Sequence, residues 1–339
     1  MLQKHIDLFY TLASSCGVSG NSYEVASIFL NEAKRLGLQC NCDSLGSISA
    51  ALFTKFHHMT PTKNNILISA HIDHTGYIVY EKPKTGVELS LYPVGVPLLE
   101  GKCDGIIKTH HGKLNGIIID SQKDYEPSIF RLKNKDDLEK VNIGDIVYYK
   151  NNLLEKPKGK FTAPYMDNKA SILSLLMVME RIATYSILDK SLFFVLSEFE
   201  EIGAYGIIAA VNKIKPLFAI NLDVFPVHSS KELNSGVIIN IGTIFNKTLI
   251  EFAKTQAIDN KIPFTLSVPS PEDESDSNYI LPQNGGTPCC EIGVPCLNVH
   301  QPNEVVSKKS IQDTANLLFY MCTNLNNVKD LIPGGLYGM

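Results

Sequence analysis

The sequence predicts an α/β fold, in which one domain with a largely parallel sheet and helices on both faces is split by a small β-barrel-like insertion. Three observations carry that prediction. Largely apolar runs such as Ile66-Leu67-Ile68-Ser69-Ala70 and Leu192-Phe193-Phe194-Val195-Leu196 read as strands buried on both faces. Such runs alternate with helical patterns on either side of the middle of the chain, as strands joined by crossover helices do. From about Tyr77 to Lys160 the texture changes to short alternating runs separated by glycine, proline and lysine, with no convincing long helix, which reads as a small β-barrel or sandwich.

Taken in order, Ile6 to Ala13 and Tyr23 to Leu36 read as helices, the second capped by Asn21 or Ser22 and apolar at Val25, Ala26, Phe29, Leu30 and Ala33. Gly17-Val18-Ser19-Gly20 between them is a tight turn. A short strand is expected near Ser47 to Phe53, then a polar loop through Lys63-Asn64-Asn65. The strand from Ile66 finishes in His71-Ile72-Asp73-His74-Thr75-Gly76. Inside the insertion, Tyr77 to Tyr80, Val87 to Tyr92, Gly105 to Thr109, Asn115 to Asp120 and Asp145 to Tyr149 read as strands, and Glu155 to Lys160 as the return linker. Asp167-Asn168-Lys169-Ala170 then opens a strongly apolar helix, Ser171 to Ile182, with Asp167 near its cap. The strand Leu192 to Leu196 runs into Ser197-Glu198-Phe199-Glu200-Glu201-Ile202-Gly203. There follow a helix from Ala204 to Lys213, a strand Leu217 to Leu222 ending in Asp223, a helix Lys247 to Ala257 and a loop Pro269 to Ser277. A strand Val294 to Val299 ending in His300 and a helix from Lys309 to about Leu325 close the fold, with Pro333 to Met339 as a loose tail. The split part is thus residues 1–76 and 161–339, and the insertion residues 77–160.

A chain of 339 residues with 44% hydrophobic content can bury one large core or two unequal ones. A formal net charge of -4, from 31 Lys+Arg and 35 Asp+Glu, and the lack of any Lys/Arg run argue against a nucleic-acid surface. Met1 to Asp7 has no cationic segment leading into an apolar run, and no apolar run approaches the roughly 20 residues that span a bilayer. The expectation is a soluble, cytoplasmic protein with no membrane partner. Eight cysteines without disulfide-scaffold spacing fit that compartment as free thiols. Cys289, Cys290, Cys296 and His300 lack the Cys-x-x-Cys knuckle of a structural zinc site, so buried thiols are the better reading.

Each acidic or imidazole residue has a plain explanation when taken alone. Three carboxylates after a buried strand read as a solvated turn, Asp73 or Asp167 as a helix cap, Asp223 as a strand end in water and His300 as a satisfied core histidine. What sets them apart is recurrence. Four strands of the α/β part finish in His71/Asp73, Glu200/Glu201, Asp223 and His300, and Asp167 begins a helix between two of them. In open α/β sheets, sites form at the carboxyl ends of strands. Imidazole and carboxylate without thiolate suit a hydrolytic zinc or cobalt site. The set is too large for one ion and has an aspartate available as a bridge, which suits two ions about 3.5–4 Å apart and leaves a glutamate free to take a proton from water.

The motifs Ala70-His71-Ile72-Asp73, Asp167-Asn168-Lys169, Glu200-Glu201-Ile202-Gly203, a strand-end Asp223 and His300-Gln301-Pro302-Asn303-Glu304-Val305 occur in that order. Together they resemble the dinuclear metallo-aminopeptidases of the tetrahedral aminopeptidase and glutamyl aminopeptidase type. Gly17-Val18-Ser19-Gly20 and the insertion also fall where that family has them. The resemblance covers nearly the whole chain and implies a three-layer α/β/α metallopeptidase domain with an inserted small β-barrel-like domain. It implies two divalent ions per subunit, Zn2+ or Co2+, with His71 and Asp223 on one, Glu201 and His300 on the other, and Asp167 bridging. Glu200 would be the general base, and Asp73 would orient His71. The substrate would be a peptide losing its N-terminal residue, and the assembly a homo-oligomer, since relatives form dodecamers. Glu198 drops out as structural.

Departures from the family pattern bear on substrate preference. Lys169 stands where the helix start usually has arginine, losing a bidentate fork, and Leu297 and Asn298 stand where Arg-Tyr is common. Asp273-Glu274-Ser275-Asp276-Ser277 replaces the usual Gly-Gly-Thr-Asp. Two rival readings follow: a dinuclear amide hydrolase of the deacylase type, and a noncatalytic scaffold, against which the intact set of ligand and base positions argues. A glycosidase, which pairs carboxylates without metal, fits His71 and His300 poorly.

Overall fold

The computed structural model describes residues 1–53, 65–120, 127–185, 191–270 and 273–325. Lys63 and Asn64 of the expected polar loop, and the tail from Pro333 to Met339, lie outside the described residues, while Asn65 already begins a strand. The chain opens with helices α1 (Gln3–Ser14) and α2 (Tyr23–Arg35). They bury Ile6, Phe9, Leu12 and Ala13, and Val25, Ala26, Phe29 and Ala33, one apolar stripe each. Strands β1 (Gln39–Cys42), β2 (Ile48–Leu52) and β3 (Asn65–His71) enter the main sheet.

Six strands then leave it: β4 (Gly76–Glu81), β5 (Glu88–Val94), β6 (Lys102–Thr109), β7 (Gly112–Ile119), β8 (Ser128–Leu132) and β9 (Ile146–Tyr149). They close a barrel in the order β4-β5-β8-β7-β6-β9. Its separate core includes Val79, Leu89, Leu91, Ile107, Ile118, Phe130 and Val147. Gly105 and Gly116 face each other across β6 and β7, and the Phe130 ring fills the space their missing side chains leave. A Cβ on Gly116 would lie 2.3 Å from that ring, so even alanine would displace it.

The chain returns through β10 (Leu154–Lys156) and β11 (Lys160–Thr162) to α3 (Met166–Ala183) and β12 (Ser191–Ser197). Next come α4 (Tyr205–Ile214), β13 (Phe218–Pro226), β14 (Val237–Asn240), α5 (Lys247–Asp259) and β15 (Phe264–Ser267). The last elements are α6 (Asp276–Ile280), β16 (Cys289–Leu297), β17 (Val305–Ser307) and α7 (Lys308–Thr323). Helix α3 is buried on nearly every side, packed between α1, α7 and the sheet, which explains its unbroken apolar sequence from Ile172 to Val178 apart from Ser174.

Several expectations change. The main sheet, 11-stranded among the described residues, is mixed rather than largely parallel. Strands β12, β3, β13 and β16 run parallel at its centre, but β2 joins β12, and β17 joins β16, antiparallel. For β16 and β17 the reason lies in the short connection 298–304, which can close a hairpin but cannot hold a crossover helix. The expected linker Glu155 to Lys160 is such a hairpin: β10 pairs β11, and Phe161 of β11 sits opposite Val306 of β17. Part of the expected loop Pro269 to Ser277 becomes the start of α6, where Ser275 and Asn278 form a reciprocal capping box. The Asp223 strand runs on to Pro226, because Val224 and Phe225 continue its pairing with Val294 and Pro295 of β16.

Candidate metal centre

The parallel register delivers the chemistry to one edge of the sheet. His71 ends β3 directly opposite Ser197 of β12, and Asp223 lies on the neighbouring strand β13. Beyond β12 the chain turns sharply at Phe199, in the left-handed region at φ 67°, and presents Glu200 and Glu201. Beyond β16, His300 also sits at positive φ, 65°. Asp167 heads α3 with non-helical backbone angles. These six residues fall into three overlapping groups, His71/Asp167/Asp223, His71/Glu200/Glu201 and Asp167/Glu201/His300. Within each group the candidate ligand atoms lie within 4.8 Å of one another.

His71 Nε2 is 2.9 Å from Asp167 Oδ1 and 3.4 Å from Asp223 Oδ1. His300 Nε2 is 3.5 Å from Asp167 Oδ2 and 3.4 Å from Glu201 Oε2. Asp167 therefore places one oxygen toward each histidine. The Nδ1–H of His71 donates to the main-chain oxygen of Asp73 at 3.1 Å, which turns Nε2 toward the carboxylates of Asp167 and Asp223. The Asp73 carboxylate lies farther from that nitrogen, at 3.8 Å. It is engaged elsewhere, accepting the Ser19 hydroxyl at 2.6 Å and the main-chain N–H groups of Glu200 at 3.0 Å and Glu201 at 3.3 Å. Orientation of His71 thus comes from the Asp73 backbone, and the Asp73 side chain holds the acidic turn.

Electrostatics show what the cluster lacks. Burial, reinforced by Asp223, Glu201 and Asp276, holds the Glu200 carboxyl well above the usual range despite the nearby His71. Burial and the charge of Asp167 push Glu201 up to about 8, and burial and Asp167 push Asp223 up to about 6. Asp167 moves the other way: burial would raise it, but hydrogen bonds from His300 and His71 hold it below the usual range. Among the described residues no lysine or arginine forms an ion pair with any of the six; their charge partners are the two imidazoles. Glu201 Oε1 is buried without a hydrogen-bond partner. Four carboxylates, two buried and two partly buried, an orphaned carboxylate oxygen and two imidazoles whose Nε2 atoms face acids fit a site for divalent cations, which would offset the negative charge and draw on these ligand atoms.

Residues around the cluster support it in ways the sequence did not reveal. Glu304, 0% exposed, accepts the main-chain N–H of Asp167 at 2.9 Å and of His300 at 2.8 Å. Asp276 is buried behind the site, hydrogen-bonded by Ser197, with its other oxygen unpartnered. His74 is a structural residue. It accepts the Gly17 N–H at 2.8 Å, donates to Thr75 O at 2.7 Å, stacks on Tyr165 and is kept neutral by burial. Glu198 accepts the Ser22 hydroxyl and the Gly20 N–H, both at 2.7 Å, so it ties the Gly17–Gly20 turn to β12. Lys169 points away from the acids. Its Nζ donates to Ser15 O at 2.8 Å at the carboxyl end of α1, a role that one point charge fills without a guanidinium fork. Cys289, Cys290 and Cys296 are buried free thiols along β16.

A family model described as M42 glutamyl aminopeptidase matches residues 51–317. The lysyl aminopeptidase of Pyrococcus furiosus is 23% identical, over 92% of this chain and 94% of that protein. Among solved structures, the TET aminopeptidase of a marine-sediment Thaumarchaeota archaeon matches with a TM-score of 0.88 at 20% identity, covering 97% of this chain and 99% of that one. The TET1 peptidase of Pyrococcus horikoshii, which can assemble into a tetrahedron or a large octahedral shell, matches with a TM-score of 0.81 at 18% identity, covering 94% and 99%. The acids and histidines gathered at the end of the central strands lie within a match that spans most of the sequence, and the chain belongs to the M42 glutamyl aminopeptidase family.

Proposed function

We propose that this chain is a metal-dependent aminopeptidase that removes N-terminal residues from peptides. In this reading His71 and Asp223 hold one divalent cation, Glu201 and His300 a second, Asp167 bridges them, and Glu200 is the general base. The observation that carries it is the convergence of those six side chains from four strands and a helix into three overlapping groups. Zinc or cobalt suits the imidazole and carboxylate donors, and when bound such ions polarise a scissile carbonyl and acidify water.

The protein side of the reaction falls to the acidic turn. Glu200 belongs to the His71/Glu200/Glu201 group, beside the candidate ligands, where a carboxylate could take a proton from the attacking water and return it to the leaving amine. Adjacent side chains diverge along the turn, so Glu201 can serve as ligand while Glu200 moves the proton. The Asp73 carboxylate, holding both main-chain N–H groups, keeps that division of roles in place.

A panel of aminoacyl-anilides and N-acetyl amino acids, tried on chelator-stripped and metal-restored protein, tests the reading. Metal-dependent release of anilide from a free-amine substrate is expected. Hydrolysis confined to the N-acetyl compounds would replace the aminopeptidase by a deacylase. The assembly of the Pyrococcus horikoshii relative supports a homo-oligomer for this chain as well, which light scattering would test.

A further inference from the structure

We infer that Glu304 is a positioning residue for the metal centre, fixing the bridging ligand Asp167 and the terminal ligand His300 relative to each other through their main chains. The inference rests on the reading of those two residues as ligands. Its geometry is direct. Oε2 accepts the Asp167 N–H at 2.9 Å, Oε1 accepts the His300 N–H at 2.8 Å, and the carboxylate is fully buried. Its own main-chain oxygen accepts the Ala163 N–H at 3.1 Å, so Glu304 is itself tied to the segment leading into α3.

Both clients need such support. Asp167, with φ -75° and ψ 107°, lies outside helical geometry at the head of α3, where main-chain N–H groups have no helical acceptor. His300 is a non-glycine residue at φ 65°, a conformation that persists when its surroundings over-determine it. Here the surroundings do: its N–H goes to Glu304 and its oxygen accepts the Leu98 N–H, at 2.9 Å, from the barrel loop. One carboxylate thereby joins α3, the loop after β16 and, through His300, the barrel. Asp167, Glu201 and His300 form one of the three candidate groups, and Glu304 anchors two of its three members. Any loss at Glu304 must fall on that group first.

Glu304→Gln tests this, because the amide keeps the shape but turns a donor toward one of the two N–H groups. Zinc binding to the metal-stripped chain, followed by competition with a chelator, is the measurement. The expected result is a folded variant in which at least the weaker binding step falls by about 10–100-fold, the range seen when residues that orient metal ligands are lost. kcat should drop with KM little changed, whereas a purely structural role would lower the melting temperature of the metal-free chain and leave zinc affinity alone. Zinc affinity within about twofold of the wild type at both steps, in a folded variant, overturns the assignment. So does loss of the fold in both Glu304→Gln and Glu304→Asp, since Glu304 would then be a folding residue. A wild-type chain that binds no zinc overturns both this and the metal reading. Because zinc binding is read directly, a failure to cleave aminoacyl-anilides would leave the positioning result standing.

Discussion

Asp73 Oδ1 accepts the main-chain N–H of Glu200 at 3.0 Å, so the end of β3 holds the turn that follows β12. With the Glu201 N–H on Oδ2 as well, one carboxylate orders two residues of unlike roles. Asp73→Asn keeps the size but offers one acceptor oxygen where three donors converge. Losing such a buried bond costs about 1–3 kcal/mol. If that loss is felt in the placement of Glu200, kcat should fall about 10–100-fold, at 1.36 kcal/mol per tenfold. Steady-state kinetics with metal analysis decide it; undiminished kcat in the Asp73→Asn variant would show that the turn holds itself.

Glu200 and His300 should fail differently. Glu200→Gln removes proton transfer, and a general base contributes about 10²–10⁴-fold, so kcat should collapse by that order while metal content stays at the wild-type level. His300→Ala should instead lower metal occupancy, because one donor of the Asp167/Glu201/His300 group is gone. Elemental analysis beside the kinetics separates the two. Full activity in the Glu200→Gln variant is the result that ends the general-base assignment.

Much of this was legible because buried parallel strands announce themselves. Ile66 to Ala70 and Leu192 to Leu196 have no polar face to hide, and residues placed just past their ends fall at one edge of the sheet. Short strands were harder: β14, β15 and β17 have three or four residues each, and pairing supplied by neighbours decides whether such segments become strands at all. Glu304 belongs to the late-histidine motif yet shows no role in the sequence, since its contacts are to main-chain N–H groups at Asp167, 137 residues away, and at His300. Asp73 illustrates the same limit. Spacing identified a carboxylate beside His71, but only the folded geometry shows that the side chain serves the acidic turn while the backbone oxygen serves the imidazole. Side-chain to main-chain bonds across long separations leave no periodic trace.

Away from the site, Glu180 on α3 fastens α1 through His5 Nε2 at 2.9 Å and through Lys4. Burial works to raise its carboxyl, but the hydrogen bonds from His5 and Lys4 prevail and hold it down to about 2. A carboxyl depressed in the folded state stabilises above its unfolded value, and that contribution disappears as pH falls from about 4.5 toward 2. Glu180→Gln should therefore flatten part of the acid limb of the stability curve while costing less than about 1 kcal/mol at neutral pH, as partly exposed pairs do. Denaturant melts at pH 3 and pH 7 provide the check; equal losses at both would rule the ion pair out as the cause.

The metal centre should impose the opposite pH slope on the stripped protein. Glu201, raised to about 8, and Asp223, raised to about 6, keep protons in the folded chain that the unfolded chain has already released. His300 behaves alike in sign: burial opposes its charge, but the Asp167 hydrogen bond and the charge of Glu201 carry it up to about 10, above the unfolded imidazole. Across roughly pH 4 to 10 these three groups thus bind more protons in the folded state than in the unfolded one, so their contribution to the stability of the metal-free chain falls as pH rises, opposed in part by Lys169, which burial lowers to about 7. Divalent cations take the place of those protons, and their binding releases them. With metal bound the decline should vanish, and the stabilisation by metal should grow with pH. Thermal midpoints from pH 6 to pH 9, with chelator and with added zinc, measure both curves. A metal-free midpoint that climbs through that range would mean these acids are already ionised without a cation, and buried, uncompensated charge would no longer explain why the site needs one.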